Sequence, residues 1–259
     1  MVAAQIMVAQ KQGCVVKRDI VLDITKSEDN WYILHTESGT VLKARKVLLA
    51  TNVFTSMNNL LGNVHLEFTP MPQTVTLAEV SAHDAYKLRS IPVVLYKGLG
   101  DSTWSSTYPR NPDGSISFYM LPPIQYPDGK YYIKLGHSDH VVKPLEKSQI
   151  RDWYCGKGDK DLELHMFNLL KGIFPDLKFL SHHGDACVTM VTPTYHPYID
   201  LLSPTFGLAV GGNGWAAKSS DEIGRVAADM IVHSKWTYDI PWENFKVRVR
   251  NSRKTTSKL

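Results

Sequence analysis

The sequence predicts an α/β fold, in detail an α+β arrangement, with an antiparallel sheet occupying its middle. Three observations carry this. From about Glu67 to His140, strand-like segments alternate with the turn signals Asn111-Pro112-Asp113-Gly114 and Tyr126-Pro127-Asp128-Gly129. Helical periodicity appears in Leu162–Ile173, where Leu162, Leu164, Phe167, Leu169, Leu170 and Ile173 favour one side. Near the end an apolar segment, Phe206–Val210, runs through a glycine cluster into a helix expected over Ser219–Val232.

The elements follow in order. Residues 1–12 read as the end of a helix, with Ile6, Met7 and Val8 apolar and Gly13 placed to stop it. Two short strands are expected at Cys14–Val16 and Val21–Ile24. After a turn at Ser27-Glu28-Asp29-Asn30, the aromatic and β-branched run Trp31–Thr36 pairs with Val41–Ala44 across Ser38-Gly39-Thr40, a hairpin. Lys46–Thr51 is a continuous apolar strand of the kind buried on both faces. Strands in the middle are expected at Thr74–Glu79, Ile91–Tyr96, Ser115–Met120 and Tyr131–His137. A further strand is expected at Cys187–Val191.

Composition narrows the function classes. At 259 residues, with 43% hydrophobic and 21% charged, the chain can bury one large core or two modest ones, and disorder, collagen and coiled coil are excluded. No run approaches the about 20 apolar residues of a membrane span. The net charge of +4 comes largely from Lys246, Arg248, Arg250, Arg253, Lys254 and Lys258. That tail reads as a solvated end, so neither nucleic acid nor membrane is expected as a partner. Cys14, Cys155 and Cys187 are scattered, without a CxxC pair, which argues against a disulfide framework or structural zinc. A reducing intracellular compartment, cytoplasm or peroxisome, is expected, and the start lacks the charge-then-apolar pattern of a secretory signal. His182-His183 with Asp185 suggests a metal, but adjacent strand histidines face opposite ways, so no metal site is expected.

The informative stretch is Gly207–Lys218, holding Gly211, Gly212, Asn213, Gly214 and Trp215 before the helix. Strand, glycine turn and helix start form a place where backbone N–H groups can approach an anion or a ring oxygen. By spacing alone it reads as a plain strand-to-helix connection, because the glycines do not make a GxGxxG. Lys134 lies mid-strand and points away from Ile133 and Leu135. By residue type it is a solvated strand lysine, as Lys218 is a surface lysine, Cys187 a buried inert thiol and Tyr119 a core or surface tyrosine. Lys218 at a helix start nevertheless runs against the helix dipole.

The order of these pieces resembles the FAD-dependent amine oxidases that include monomeric sarcosine oxidase and glycine oxidase. In that family a "C-x-x-x-x-T" strand leads to "P-x-I/F-I-D", an apolar strand, a glycine-rich turn and a helix. Here the order reads Cys187–Thr192, His196-Pro197-Tyr198-Ile199-Asp200, then the glycine turn. Asn63–Leu66 and Thr69–Gln73 resemble the lead-in to the family's substrate sheet, and Tyr132–His137 resembles the strand with its flavin-facing lysine. Lys46–Ser56 resembles the strand and turn on the adenosine side, in the "ATN-x-[FY]-T" variant. The resemblance extends to about Phe245.

It implies an incomplete FAD-binding, Rossmann-like domain formed by residues 1–62 and 184–245, an antiparallel substrate domain with a helix over 63–183, and a basic tail at 246–259. It implies a reaction in which an amine or N-substituted amino acid passes a hydride to flavin and dioxygen becomes peroxide. Lys134 would be catalytic, beneath the flavin. Tyr119, Trp215 and Lys218 would bind substrate. Val21 would meet the adenine, Cys187 could carry a thioether to FAD, and Gly211, Gly212, Asn213, Gly214, Trp215 and Lys218 would line the cofactor. Trp215 stands where the family usually has histidine, which favours an apolar or aromatic substrate group. The family's opening βαβ unit, whose GxGxxG cradles the pyrophosphate, has no counterpart in these residues. The chain therefore looks like the C-terminal two-thirds of such an enzyme, with a complementing N-terminal segment as a possible partner. The alternative is a non-catalytic binding or partner module that kept the fold and lost the nucleotide site.

Overall fold

A computed structural model describes residues 2–99, 110, 111, 113–137 and 142–250. Pro112, His140 and the tail from Asn251, with Arg253, Lys254 and Lys258, lie outside the described residues. In chain order the elements are helix α1 (Val2–Lys11) and strands β1 (Val21–Lys26), β2 (Tyr32–Thr36), β3 (Val41–Ala44), β4 (Val47–Leu49) and β5 (Thr69–Val80). Helix α2 (Ala82–Lys87), strands β6 (Val94–Gly98), β7 (Ile116–Gln125) and β8 (Tyr131–His137), and helices α3 (Ile150–Cys155) and α4 (Lys160–Ile173) follow. Strands β9 (Ser181–Val191), β10 (Tyr198–Ser203) and β11 (Phe206–Val210) and helix α5 (Ser220–His233) complete the set. No helix among the described residues is long and apolar enough to cross a membrane.

The chain forms two compact units: residues 1–67, 197–210 and 218–259, and residues 68–196 with 211–217. The first holds two three-stranded sheets. One is the antiparallel set β1-β2-β3; in the other β11 pairs antiparallel with β10 and parallel with β4. Helix α5 packs Val226, Ala227 and Met230 against Ile199 and Phe245, the apolar stripe its 3.6-residue period creates. Asp221 and Glu222 in its first turn suit the helix dipole.

The expected strand at Cys14–Val16 is absent. This stretch is irregular and Val15 is 84% exposed; no described strand pairs with it, and an apolar run without a ladder partner does not become a strand. The basic segment is also not loose as far as Arg250. Glu67 donates its N–H to the Arg248 carbonyl, Arg250 donates to that of His65, and the Val247 N–H reaches Asp200.

The second unit is built on the antiparallel sheet β6-β7-β8-β5-β9. Gly129, at φ +82°, closes the β7–β8 hairpin, as the Pro-Asp-Gly signal requires. One face is dry. Ala78, Ile133, Leu135, Phe118 and Met120 pack on Leu162, Met166, Leu169 and Leu170 of α4, whose start is capped by Asp159 accepting from the Leu162 N–H at 2.8 Å. Strand β9 pairs with β5 along its whole length.

Candidate functional site

Strand β5 is flanked by β8 and β9, and the register decides which side chains meet. Lys134 pairs with Leu77, Gly136 and Asp185 both pair with Val75, and Cys187 pairs with Gln73. Tyr119 pairs with Gly136 and Leu121 with Lys134. Paired residues share a face and faces alternate with period two. Lys134, Tyr119, Gly136, Asp185 and Cys187 therefore occupy one face, opposite the dry face on α4.

Lys134 is half-buried there and makes no ion pair with a described residue. Burial pushes the Tyr119 phenol up to about 12, with Cys187 and Tyr126 adding to it, so Tyr119 is a neutral hydrogen-bond donor at ordinary pH. Cys187 keeps open solvent contact. The protein around it nonetheless displaces enough water to push its thiol up; the Lys134 ammonium opposes that, and the Asp185 carboxylate reinforces it. The Cys187 carbonyl accepts from Trp153 Nε1 at 3.1 Å, which fixes the backbone of this edge strand.

The glycine turn comes down on the same face. A Cβ on Gly214 would lie 3.5 Å from Thr189 Cγ2, and Thr189, two residues beyond Cys187, points the same way. Gly211, Asn213 and Gly214 have φ of +80°, +51° and +76°, left-handed values open to glycine and tolerated by asparagine. Asn213 is the clamp. Its Oδ1 accepts from the Thr192 N–H at 2.7 Å, its Nδ2 donates to the Gly211 carbonyl at 2.6 Å, and its own N–H reaches the Met190 carbonyl at 3.2 Å. Both ends of this amide are engaged within the protein, so the side chain shapes the turn rather than reaching outward. Trp215 follows, 63% exposed.

The structure thus brings Lys134, Tyr119, Cys187 and the turn Gly211–Trp215 to one sheet face of the second unit. Val21 and Lys218 belong to the first unit. Val21 lies on β1, its carbonyl accepting from Asn58 Nδ2 at 2.9 Å; Lys218 is exposed in the 3-10 turn before α5. His182 points to the α4 side, bonded to Glu163 at 2.6 Å and stacked on Phe167, whereas His183 meets Tyr132 edge-on. Among the described residues no group of three His, Cys, Asp or Glu could hold a metal ion.

Thr192, Tyr126, Asp185 and Gly136 are site residues that sequence reasoning missed. Alternation from Lys134 alone would have placed Gly136 on its face. The other three need the strand pairing or the path of the turn.

The family model described as FAD dependent oxidoreductase matches residues 1–230. The chain belongs to this family. No curated protein matches it. Among solved structures it is similar to NikD, an unusual amino acid oxidase essential for nikkomycin biosynthesis, at 17% identity and TM-score 0.69, over 95% of this chain and 59% of that one. L-proline dehydrogenase from P. horikoshii is similar at 16% identity and TM-score 0.63, over 93% of this chain and 56% of that one. Fructosyl amine: oxygen oxidoreductase (Amadoriase I) from Aspergillus fumigatus is similar at 16% and 0.59, over 88% of this chain and 48% of that one. At these identities the likeness shows the fold. The chain spans less than two thirds of the length of each of these three.

Proposed function

We propose that this chain supplies the flavin- and substrate-facing sheet of an FAD-dependent oxidase acting on an amine or N-substituted amino acid. The observation that supports it is the convergence of Lys134, Tyr119 and Cys187 on one sheet face beneath the turn Gly211–Trp215. When bound, the flavin supplies the two-electron acceptor chemistry and the reaction with dioxygen.

The chain's own residues fit that group. Lys134 holds a positive charge in partly dry surroundings, where it stabilises negative charge as it develops. Tyr119 stays protonated and presents a hydroxyl and an aromatic wall to substrate. Cys187 offers a sulfur on the same face as Lys134, able to form a thioether to the cofactor. Trp215 narrows the approach in favour of an apolar or aromatic substrate group, and Lys218 attracts a substrate carboxylate. Residues 1–62 and 184–245 serve the cofactor and 63–183 the substrate, in the cytoplasm or a peroxisome. The pyrophosphate cradle is not among these 259 residues, which contain no GxGxxG; a βαβ unit outside this span, or a complementing segment, provides it.

That same sequence fact favours a second reading, a binding or partner module that holds no flavin. Titration with FAD, followed by flavin fluorescence, separates the two. The chain alone should bind weakly, and the chain joined to a GxGxxG-bearing βαβ unit should bind tightly and turn yellow. Stoichiometric FAD on the chain alone would overturn the role given to that unit, and no binding in either form would favour the module.

A further inference from the structure

Gly136 is buried at the centre of the site's sheet, yet it lies in a run of residues that all carry side chains, Tyr131–Leu135 before it and His137 after it. Its φ is not in the left-handed region, so backbone strain does not explain a glycine here. The reason lies across the strand. A Cβ at position 136 would sit 2.4 Å from Tyr119 Cζ and 2.5 Å from its Cε1 and Oη. These are the far atoms of the phenol ring. The ring of Tyr119 therefore lies down across β8, over the bare backbone of Gly136, with its hydroxyl end directed past β8 towards the β5 and β9 side of the face, where Val75, Asp185 and Cys187 stand.

We infer that Gly136 is a positioning residue, a seat that lets Tyr119 lie flat on the sheet and so sets the depth of the substrate pocket above it. With any Cβ at position 136 the ring must tilt away from the sheet, which carries its hydroxyl end off the Cys187 side and into the room above Gly136. A ring of that size is too rigid to slide aside: turning it about its own long axis leaves Cζ and Oη in place, so the first side-chain torsion must answer, and that lifts the hydroxyl off the face. The flat ring leaves room above the face for a substrate group to stack on it, and a raised ring fills that room. This consequence for substrate rests on the oxidase reading; the seat itself does not.

The seat is testable without flavin, because Tyr119 lies close enough to Cys187 for the thiol to perturb its phenol. In a Cys14→Ser/Cys155→Ser background, Cys187 is the sole thiol, and its alkylation by iodoacetamide is followed across pH. Gly136→Ala should raise the Cys187 rate at neutral pH severalfold and move the midpoint of the pH profile downward, since lifting the ring admits water to the thiolate. Tyr119→Ala should do the same, and Gly136→Ala added to Tyr119→Ala should then change nothing further. If Gly136→Ala alone does not fold, Gly136→Ala/Tyr119→Ala must fold, because the clash has been removed. An unchanged rate in Gly136→Ala, an equal effect of Gly136→Ala with and without Tyr119, or failure of the double variant to fold would overturn the seat. In a flavin-loaded form, Gly136→Ala should raise KM for the larger of two substrates with kcat little changed. A loss confined to kcat would leave the seat intact and remove its role in substrate fit.

Discussion

Replacing Asn213 tests whether the glycine turn is held by one side chain. Thr192 is 1% exposed, and its N–H has Asn213 Oδ1 as acceptor at 2.7 Å; the Gly211 carbonyl takes Nδ2 at 2.6 Å. Asn213→Ala leaves a buried donor unpaired, which costs about 1–3 kcal/mol, and deletes a second bond worth about 1 kcal/mol. The φ of +51° adds about 1 kcal/mol for a residue with a plain Cβ. The total is roughly 3–5 kcal/mol, a large part of the stability of an ordinary domain. Asn213→Gly removes the same bonds but not the tolerance for positive φ, so it should cost about 1 kcal/mol less than alanine. Urea unfolding followed by tryptophan fluorescence measures both, with an unchanged m value showing that the native state is otherwise intact. A loss below about 1 kcal/mol for alanine, or a glycine variant no better than alanine, would refute the clamp.

Three further outcomes follow from the same geometry. Asp19 accepts from Ser38 Oγ and from the Ser38 N–H, and these bonds hold its carboxyl down at about 2. A depressed folded pKa stabilises above the unfolded value of about 3.8 and loses that contribution as pH falls through about 2, so Asp19→Asn should flatten the acid limb of stability between those values, measured by denaturation across pH. In a flavin-loaded form, a thioether at Cys187 would keep flavin with the protein after acid precipitation, and Cys187→Ser should release it to the supernatant. Glu163→Ala strips the partner of His182 at 2.6 Å while leaving His182 stacked on Phe167, and, because His182 can still reach water, should destabilise by about 0.5–1.5 kcal/mol in thermal unfolding.

Much of the second unit was legible because its signals are local. Tyr126-Pro127-Asp128-Gly129 marks a hairpin by turn chemistry alone, and Leu162–Ile173 shows its buried stripe by period alone. Strand β9 was legible only from Cys187, because Ser181-His182-His183-Gly184-Asp185-Ala186 is polar. Such a segment becomes a strand at a sheet edge, where one face is open and β5 supplies the ladder. Helices α2 and α3 are six residues each, too short to show a period. The fold-back of Lys246–Arg250 on His65–Glu67 runs through backbone groups, which charge patterning does not encode.

The site divides the same way. The orientation of Lys134 follows from alternation between two apolar neighbours, and that of the glycine turn from its residues. What puts Lys134 and Cys187 on one face is their register on β5, which depends on pairing between segments more than 50 residues apart. Asn213 reads from sequence as a ligand residue; its partners, Thr192 and Gly211, show it holding the turn.

The most direct test of the central claim is the rate at which the reduced, flavin-loaded enzyme reacts with dioxygen, measured by stopped-flow absorbance in Lys134→Met and Lys218→Met. If Lys134 holds its charge on the flavin-facing side, its removal should slow this reaction by about a hundredfold or more while reduction by substrate changes little. Lys218→Met should instead weaken substrate binding and leave the dioxygen reaction unchanged. Equal and small effects from both substitutions would contradict the account, for they would make both residues ordinary surface lysines.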